Sequence, residues 1–273
     1  MAVIILPDKW RRQPQVAMQV NLSHPLARDL IEFGYVLGGN NPISAMPASG
    51  SGPFLAGATE SVATPHGLGI NTNGTGNYIN LGRNLSASSA VATVIVRTTL
   101  PDPLVSTQLF TSALQSGANY AGHFYAIGST GTLGGNFGDG GGSGGTDRRS
   151  ADSAAGVVVP GQNTIAVVCR ATTNWSLYKD GVSTGTPTYS GTGAAYSAGT
   201  ANGTINYRSA GAVYGSQSSS LWAFFNRALT DAEILELYVA PFQVLQPIRR
   251  RVWVGPTGAV ASPPSLLPLL GVG

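Results

Sequence analysis

Charge is scarce in this sequence. Asp, Glu, Lys and Arg make up 10% of its 273 residues, against about 25% in an average soluble protein. A helical bundle needs charged surfaces, so that class is disfavoured. Cysteine is nearly absent: Cys169 alone excludes an intramolecular disulfide and a Cys-rich zinc site. Its place in the strand-like run NTIAVVCR predicts a buried, inert thiol. No apolar run approaches the roughly 18–20 residues of a membrane-spanning helix. The start, MAVIILPDKW, has no basic region before its short apolar stretch, which predicts a soluble chain without a standard export signal. Plain disorder is disfavoured too, because 42% of residues are hydrophobic and apolar runs recur throughout.

Glycine is abundant instead, at 37 residues, with 17 prolines. The few charges are unevenly placed. Residues 1–14 and 246–273 together carry a net +5, and the stretch between them −2. A near-neutral body with two basic ends is not a nucleic-acid-binding domain by charge. The ends are expected to touch something that the body does not, the plainer reading being a few solvated surface arginines.

Between the ends, strand signals dominate. Residues 15–21 (QVAMQVN) alternate polar and apolar. Residues 26–37 fit a short helix or a strand, and the Gly/Pro/Ser-rich stretch 38–57 reads as a loop. Asn73-Gly74 predicts a hairpin within 67–81, and Asp180-Gly181 a second tight turn after NWSLYK. In NWSLYKDGV, Trp175 and Leu177, with Val182, are expected on one face. Residues 90–99 (AVATVIVRTT) form the clearest strand; 108–112, 122–127, 132–137, 156–159, 163–170, 182–188, 202–207 and 218–225 follow. Around a dozen strands or more, with turn signals between them, imply a two-sheet sandwich. One segment differs: residues 230–238 (TDAEILELY) read as a helix, capped by Thr230 with Glu233 three residues on. The fold class is therefore all-β, with one short C-terminal helix. Three segments are expected: an arm over 1–14, the sandwich over 15–245 and an extended Pro/Leu-rich arm over 246–273.

Several motifs carry a resemblance. Residues 67–82 (GLGINTNGTGNYINLG), 163–182 (NTIAVVCRATTNWSLYKDGV) and 221–238 (LWAFFNRALTDAEILELY) resemble elements of laminin-G-like, concanavalin A-like jelly-roll domains. The resemblance covers roughly 60–240 and implies an antiparallel jelly-roll sandwich. Residues 10–37, with Ala240-Pro-Phe-Gln243 at the far end, look like bacteriophage virion proteins carrying this domain. In those proteins the N-terminal strand pairs back near the C-terminal one.

Catalysis finds little support. Glycosidases of this shape place paired carboxylates on one strand. The four glutamates here, Glu32, Glu60, Glu233 and Glu236, include no such pair, and the three histidines are isolated. There is no G-x-S-x-G nucleophile signature. Gly140 to Gly145 precede no helix and no Lys-Ser/Thr, so they form no phosphate loop. Relatives that hold calcium carry an acid where this chain has Gly215 to Ser220 (GSQSSS), so no cofactor is expected.

The resemblance implies a non-enzymatic phage virion structural protein. Capsid decoration leads, with a collar or tail accessory role beside it. The expected partners are other virion proteins, a second copy of the chain and host glycans, with neither nucleic acid nor membrane. The expected location is the virion, assembled in the bacterial host cytoplasm. Attachment falls to the arms: Trp10, Arg11, Arg12, Arg249, Arg250, Arg251 and Trp253 join aromatic area to guanidinium forks. The alternative is a carbohydrate-binding module for host surface glycans, such as one on a head or tail fibre. Its sugar site is expected at Tyr120, His123, Tyr125, Asn136 and Asp139, which cluster around the Gly-rich loop.

Overall fold

The computed structural model describes residues 11–248 apart from 39, 47–51, 58, 86–88, 113–119, 143–144, 194, 200–201 and 209–212. Its strands form two large antiparallel sheets. The eight-stranded sheet runs in the order β16 (Thr188–Ser190), β12 (Arg148–Asp152), β11 (Leu133–Asp139), β10 (Ala121–Ile127), β9 (Thr107–Thr111), β17 (Thr204–Ile205), β7 (Tyr78–Asn80) and β4 (Phe54–Ala56). The nine-stranded sheet runs β15 (Val182–Ser183), β14 (Asn174–Lys179), β13 (Gly161–Ala171), β8 (Ala92–Leu100), β20 (Ser218–Phe225), β2 (Leu30–Leu37) and β3 (Asn41–Ser44). At its side β6 (Gly67–Asn71) pairs with β20, and β5 (Glu60–Thr64) with β6. Two short ladders complete the pairing: β1 (Met18–Val20) with β21 (Leu245–Pro247), and β18 (Tyr207–Arg208) with β19 (Val213–Tyr214). One helix, α1 (Asp231–Val239), follows β20. The chain is an antiparallel jelly-roll sandwich.

The nine-stranded sheet is buried on both faces, and the alternation of its strands shows why. Trp222 and Phe224 of β20, Val94 and Val96 of β8, and Val167 and Cys169 of β13 face the other sheet. Their neighbours Leu221, Ala223, Phe225, Ile95, Ala166 and Val168 face outward into a second core. That core is closed by Ile234 and Leu237 of α1 and by Phe242, Val244 and Leu245. Phe242 meets Phe33 and Tyr35 edge-on, at 6.3 Å and 6.0 Å between centroids. Each such buried side chain contributes about 1.5–3 kcal/mol. Two-sided burial is what makes these central strands near-continuous apolar runs.

The helix is fixed at both ends. Thr230 and Glu233 form the expected capping box. Arg227 grips both Glu233 oxygens, at 3.0 Å and 2.7 Å, and this fork holds the Glu233 carboxyl down to about 2. At the other end, Arg97 of β8 donates to the Tyr238 carbonyl at 3.0 Å.

Several expectations change. The 26–37 stretch is a short 3-10 turn (Pro25–Ala27) followed by strand β2. The 38–57 stretch contains strands β3 and β4. Asn73-Gly74 makes no hairpin, because β6 and β7 belong to different sheets, and the turn carries the chain between them. Asp180-Gly181 does make one, with both residues at positive φ (52° and 78°). Trp175 and Leu177 face the inner core, whereas Val182 is 66% exposed. Residues near both expected limits of the body, 15 and 245, are tied into it. Gln13 is buried, and its amide donates to the carbonyls of Val36 (2.8 Å) and Leu68 (3.0 Å). At the far limit, β21 reaches Pro247.

Candidate functional site

The outer face of the eight-stranded sheet carries a cluster of half-buried tyrosines, Tyr78, Tyr120, Tyr207 and Tyr214, beside the buried Phe124, which a surface ligand cannot reach. The strand period of two builds it. On β10, Tyr125 and Ile127 point into the inner core with His123, so Phe124 points outward. On β7, Ile79 points inward, so Tyr78 points outward. The hairpin of β18 and β19 crosses this face. The hydroxyls of Thr111 and Thr204 fasten it by donating to the Tyr207 carbonyl at 2.8 Å and 2.7 Å.

Two stacks result. Tyr207 stacks on Tyr78 (4.4 Å) and on Tyr214 (4.7 Å), each at 23° between planes, and Tyr78 and Tyr214 are themselves 6.5 Å apart, so the three rings form a triangle. Tyr120 stacks on Phe124 at 5.0 Å. Arg208 joins them: it follows Tyr207 in the chain, and its guanidinium lies 5.6 Å from the Tyr120 ring and 5.8 Å from Phe124. Arg148 lies over Tyr120 at 5.4 Å. Burial, and then the neighbouring Tyr214, push the Tyr207 phenol above its ordinary value, so it stays protonated as a donor. Asn136 of β11 stands directly across from Phe124 and accepts a hydrogen bond from Ser150. Gly134 and Gly138 flank Asn136 on the same face and add no side chain to it. A Cβ at Gly138 would fall 2.3 Å from the Tyr120 carbonyl oxygen, so the glycine allows that backbone to cross closely.

The five residues expected at a sugar site separate between two faces. Tyr120 and Asn136 belong to the outer cluster, whereas Asp139, two residues beyond the inward Phe137, ends β11 and accepts from the Gly141 amide at 2.8 Å. His123 and Tyr125 do not belong: they are 0% and 1% exposed, and the Tyr125 hydroxyl lies 3.0 Å from His123 Nδ1 between the sheets. A surface ligand cannot reach them. Tyr78, Phe124, Arg148, Tyr207, Arg208 and Tyr214 were missed by the sequence reading. They are scattered over 78–214, and only the alternation on β7 and β10 marked two of them as outward.

Of the arm residues, Trp10, Arg249, Arg250, Arg251 and Trp253 lie outside the described residues. Arg11 and Arg12 are exposed, and both line a cleft of about 470 Å³. Cys169 is buried, and burial pushes its thiol up to about 12, which leaves it unreactive.

No protein-family model matches the chain, and no curated protein does. Solved structures match in fold. The binding domain of botulinum neurotoxin DC in complex with SialylT superposes with a TM-score of 0.58 at 10% identity, over 78% of this chain and 52% of that one. The binding domain of Paraclostridial Mosquitocidal Protein 1 gives 0.57 at 12% identity, over 80% and 53%. The chain thus spans about half the length of these two proteins. Domain 4 of AbnA, a GH43 extracellular arabinanase from Geobacillus stearothermophilus, in complex with arabinotriose, gives 0.55 at 15% identity, over 77% of this chain and 98% of that one. At these identities the likeness is one of fold: the chain shares the β-sandwich of carbohydrate-binding and receptor-binding domains.

Proposed function

We propose that this chain is a non-enzymatic binding module that holds a glycan against the outer face of its eight-stranded sheet. The observation that carries the reading is the group of half-buried tyrosines, Tyr78, Tyr207 and Tyr214 with Tyr120 seated on the buried Phe124, framed by Arg148, Arg208 and Asn136. Sugar rings present C–H faces that pack on aromatic rings. Their hydroxyls take hydrogen bonds from guanidinium, amide and phenol groups. The arabinanase domain of the same fold, solved in complex with arabinotriose, supports the reading.

A glycan array with the full chain, followed by calorimetry on the best ligand, tests it. Tyr214→Ala is expected to weaken binding at least tenfold, about 1.4 kcal/mol. Absence of any glycan ligand, or unchanged affinity in both Tyr214→Ala and Tyr78→Ala, would refute it.

A second reading rests on the antiparallel pairing of β1 with β21, Met18 opposite Pro247. This sets residues 18 and 247 side by side. It supports the attachment of a phage virion component, such as a capsid decoration or a collar or tail accessory, through one two-armed patch. In that setting the glycan face would point away from the particle. Co-sedimentation with particles lacking the protein is the measurement, and loss of binding on removal of residues 249–273 is the expected outcome.

A further inference from the structure

The face opposite the aromatic cluster holds a buried guanidinium without a carboxylate partner. Arg97 is 2% exposed on the outer side of β8. Its Nε donates to Thr164 Oγ1 at 3.1 Å and its Nη2 to the Tyr238 carbonyl at 3.0 Å. These two bonds fix the plane of the guanidinium. Among the described residues no carboxylate stands within ion-pair distance of it. The acid that acts on it from further away, Asp180, is engaged elsewhere: it accepts from the Thr164 amide at 2.8 Å and faces Lys179 at 3.7 Å. Burial lowers the Arg97 pKa to about 10, the sign of a cation held without full compensation.

Arg97 opens onto a cleft of about 390 Å³ whose other walls are Arg11, His66, Tyr238 and Val239. Arg11 and His66 also line the adjoining 470 Å³ cleft, which adds Arg12 and Gln15. Burial, and then the charge of Arg97, hold His66 down to about 4, so its ring is neutral at pH 7 and offers one N–H. The guanidinium groups of Arg97 and Arg11 and a neutral imidazole thus share one cleft, and among the described residues the acid acting on Arg97 and His66, Asp180, is already bonded.

We propose that this cleft binds an oxyanion, the carboxylate or sulfate group of an acidic glycan, with Arg97 as the fixed partner and Arg11 as the closing one. An oxyanion accepts the donors that Thr164 and Tyr238 leave unused, and compensates a charge that is costly to bury alone. Only the source of the oxyanion rests on the glycan-binding reading. The site itself lies on the other side of the sandwich from Tyr214.

The test uses the full chain at constant ionic strength, with chloride exchanged for inorganic sulfate, and reads thermal midpoint and calorimetry. Saturable binding of sulfate is expected, weakened at least tenfold in Arg11→Ala and in Arg97→Lys, and unchanged in Tyr214→Ala. Arg11 is exposed, so its variant remains informative even where Arg97→Lys folds poorly. A glucuronate-bearing oligosaccharide should bind at least tenfold more tightly than its neutral counterpart, and Arg11→Ala should erase that difference. Non-saturable sulfate effects, or equal binding by Arg11→Ala and wild type, would overturn the site. Sulfate binding that depends on Arg11 without preference for the acidic oligosaccharide would overturn the glycan source and leave a free-anion site. Loss of glycan binding in Tyr214→Ala alone would leave the aromatic face standing while the cleft fails.

Discussion

Acid should loosen this sandwich through His123, and the half-buried His66, also held down, adds a loss of the same sign that wild type and a His123 variant share. His123 lies between the sheets with no exposed surface, 5.1 Å from the Tyr196 ring and 6.2 Å from Phe224. Burial holds its pKa down to about 3, outweighing a small opposing pull from the Ser89 backbone. In an unfolded chain the same ring takes up a proton near pH 6.5. The folded pKa is the depressed one, so the stability is complete above about 6.5 and is lost as pH falls toward 3. Between those limits the loss is about 1.4 kcal/mol per pH unit, which reaches about 2 kcal/mol at pH 5. Urea unfolding followed by tryptophan fluorescence at pH 8, 6 and 5 measures this, with His123→Gln as the comparison. Glutamine keeps an acceptor for the Tyr125 hydroxyl and removes the titrating group. Glu233, held down by Arg227, acts only at lower pH, and Glu32, whose pKa burial raises, acts with the opposite sign. Both are common to the two proteins and cancel in the difference. The stability gap between wild type and variant should therefore narrow by about 2 kcal/mol from pH 8 to pH 5. Parallel curves, within about 0.5 kcal/mol, would show that the ring is hydrated or already charged, and the reasoning would fail.

Two further outcomes test the second core and the sheet interior. Ile234→Asp places a carboxylate where the helix meets the nine-stranded sheet at 2% exposure, and should cost about 3 kcal/mol or more in urea unfolding; a change within about 0.5 kcal/mol would mean that α1 is not docked. Gly34→Ala would set a Cβ 2.1 Å from the Trp222 ring, so a loss of about 1–3 kcal/mol with an altered near-ultraviolet tryptophan signal is expected, and a wild-type spectrum and midpoint would contradict the packing.

The elements that could be read from the sequence were those in which local and tertiary preferences agree. β20, α1 and the Asp180-Gly181 hairpin are such cases: an apolar run, a capping box and a positive-φ pair each have one good solution. Asn73-Gly74 shows the limit. A turn signal says that the chain reverses, but not which sheet receives the next strand. Residues 148–152 (RRSAD) have no strand-like pattern and become β12 because β11 and β16 flank them. Within 156–159 three residues are valine, yet Gly156 at φ 75° and the Val158 amide bond to Gly131 make the stretch a turn. The candidate site was harder still. Proximity in sequence grouped Tyr120 with His123 and Tyr125, whereas the strand period sends the latter two inward. The partners of Tyr120 came instead from Arg148 and Arg208, which only the folded sheet brings near.

The β1–β21 ladder also determines how the domain bears tension. Its three pairs are Met18–Pro247, Gln19–Gln246 and Val20–Leu245, and both outgoing chains leave from the Met18–Pro247 end. Once a pull on the two ends has broken the bonds of Gln13 to Val36 and Leu68, it opens the ladder one pair at a time from the Met18–Pro247 end. The inbound tether includes Gln13, which is bonded to Val36 and Leu68, and Arg11, which walls the oxyanion cleft. Force and anion thus act on the same short stretch in opposite directions. A bound oxyanion would stiffen the tether, and a stretched tether would release the oxyanion before either sheet is disturbed.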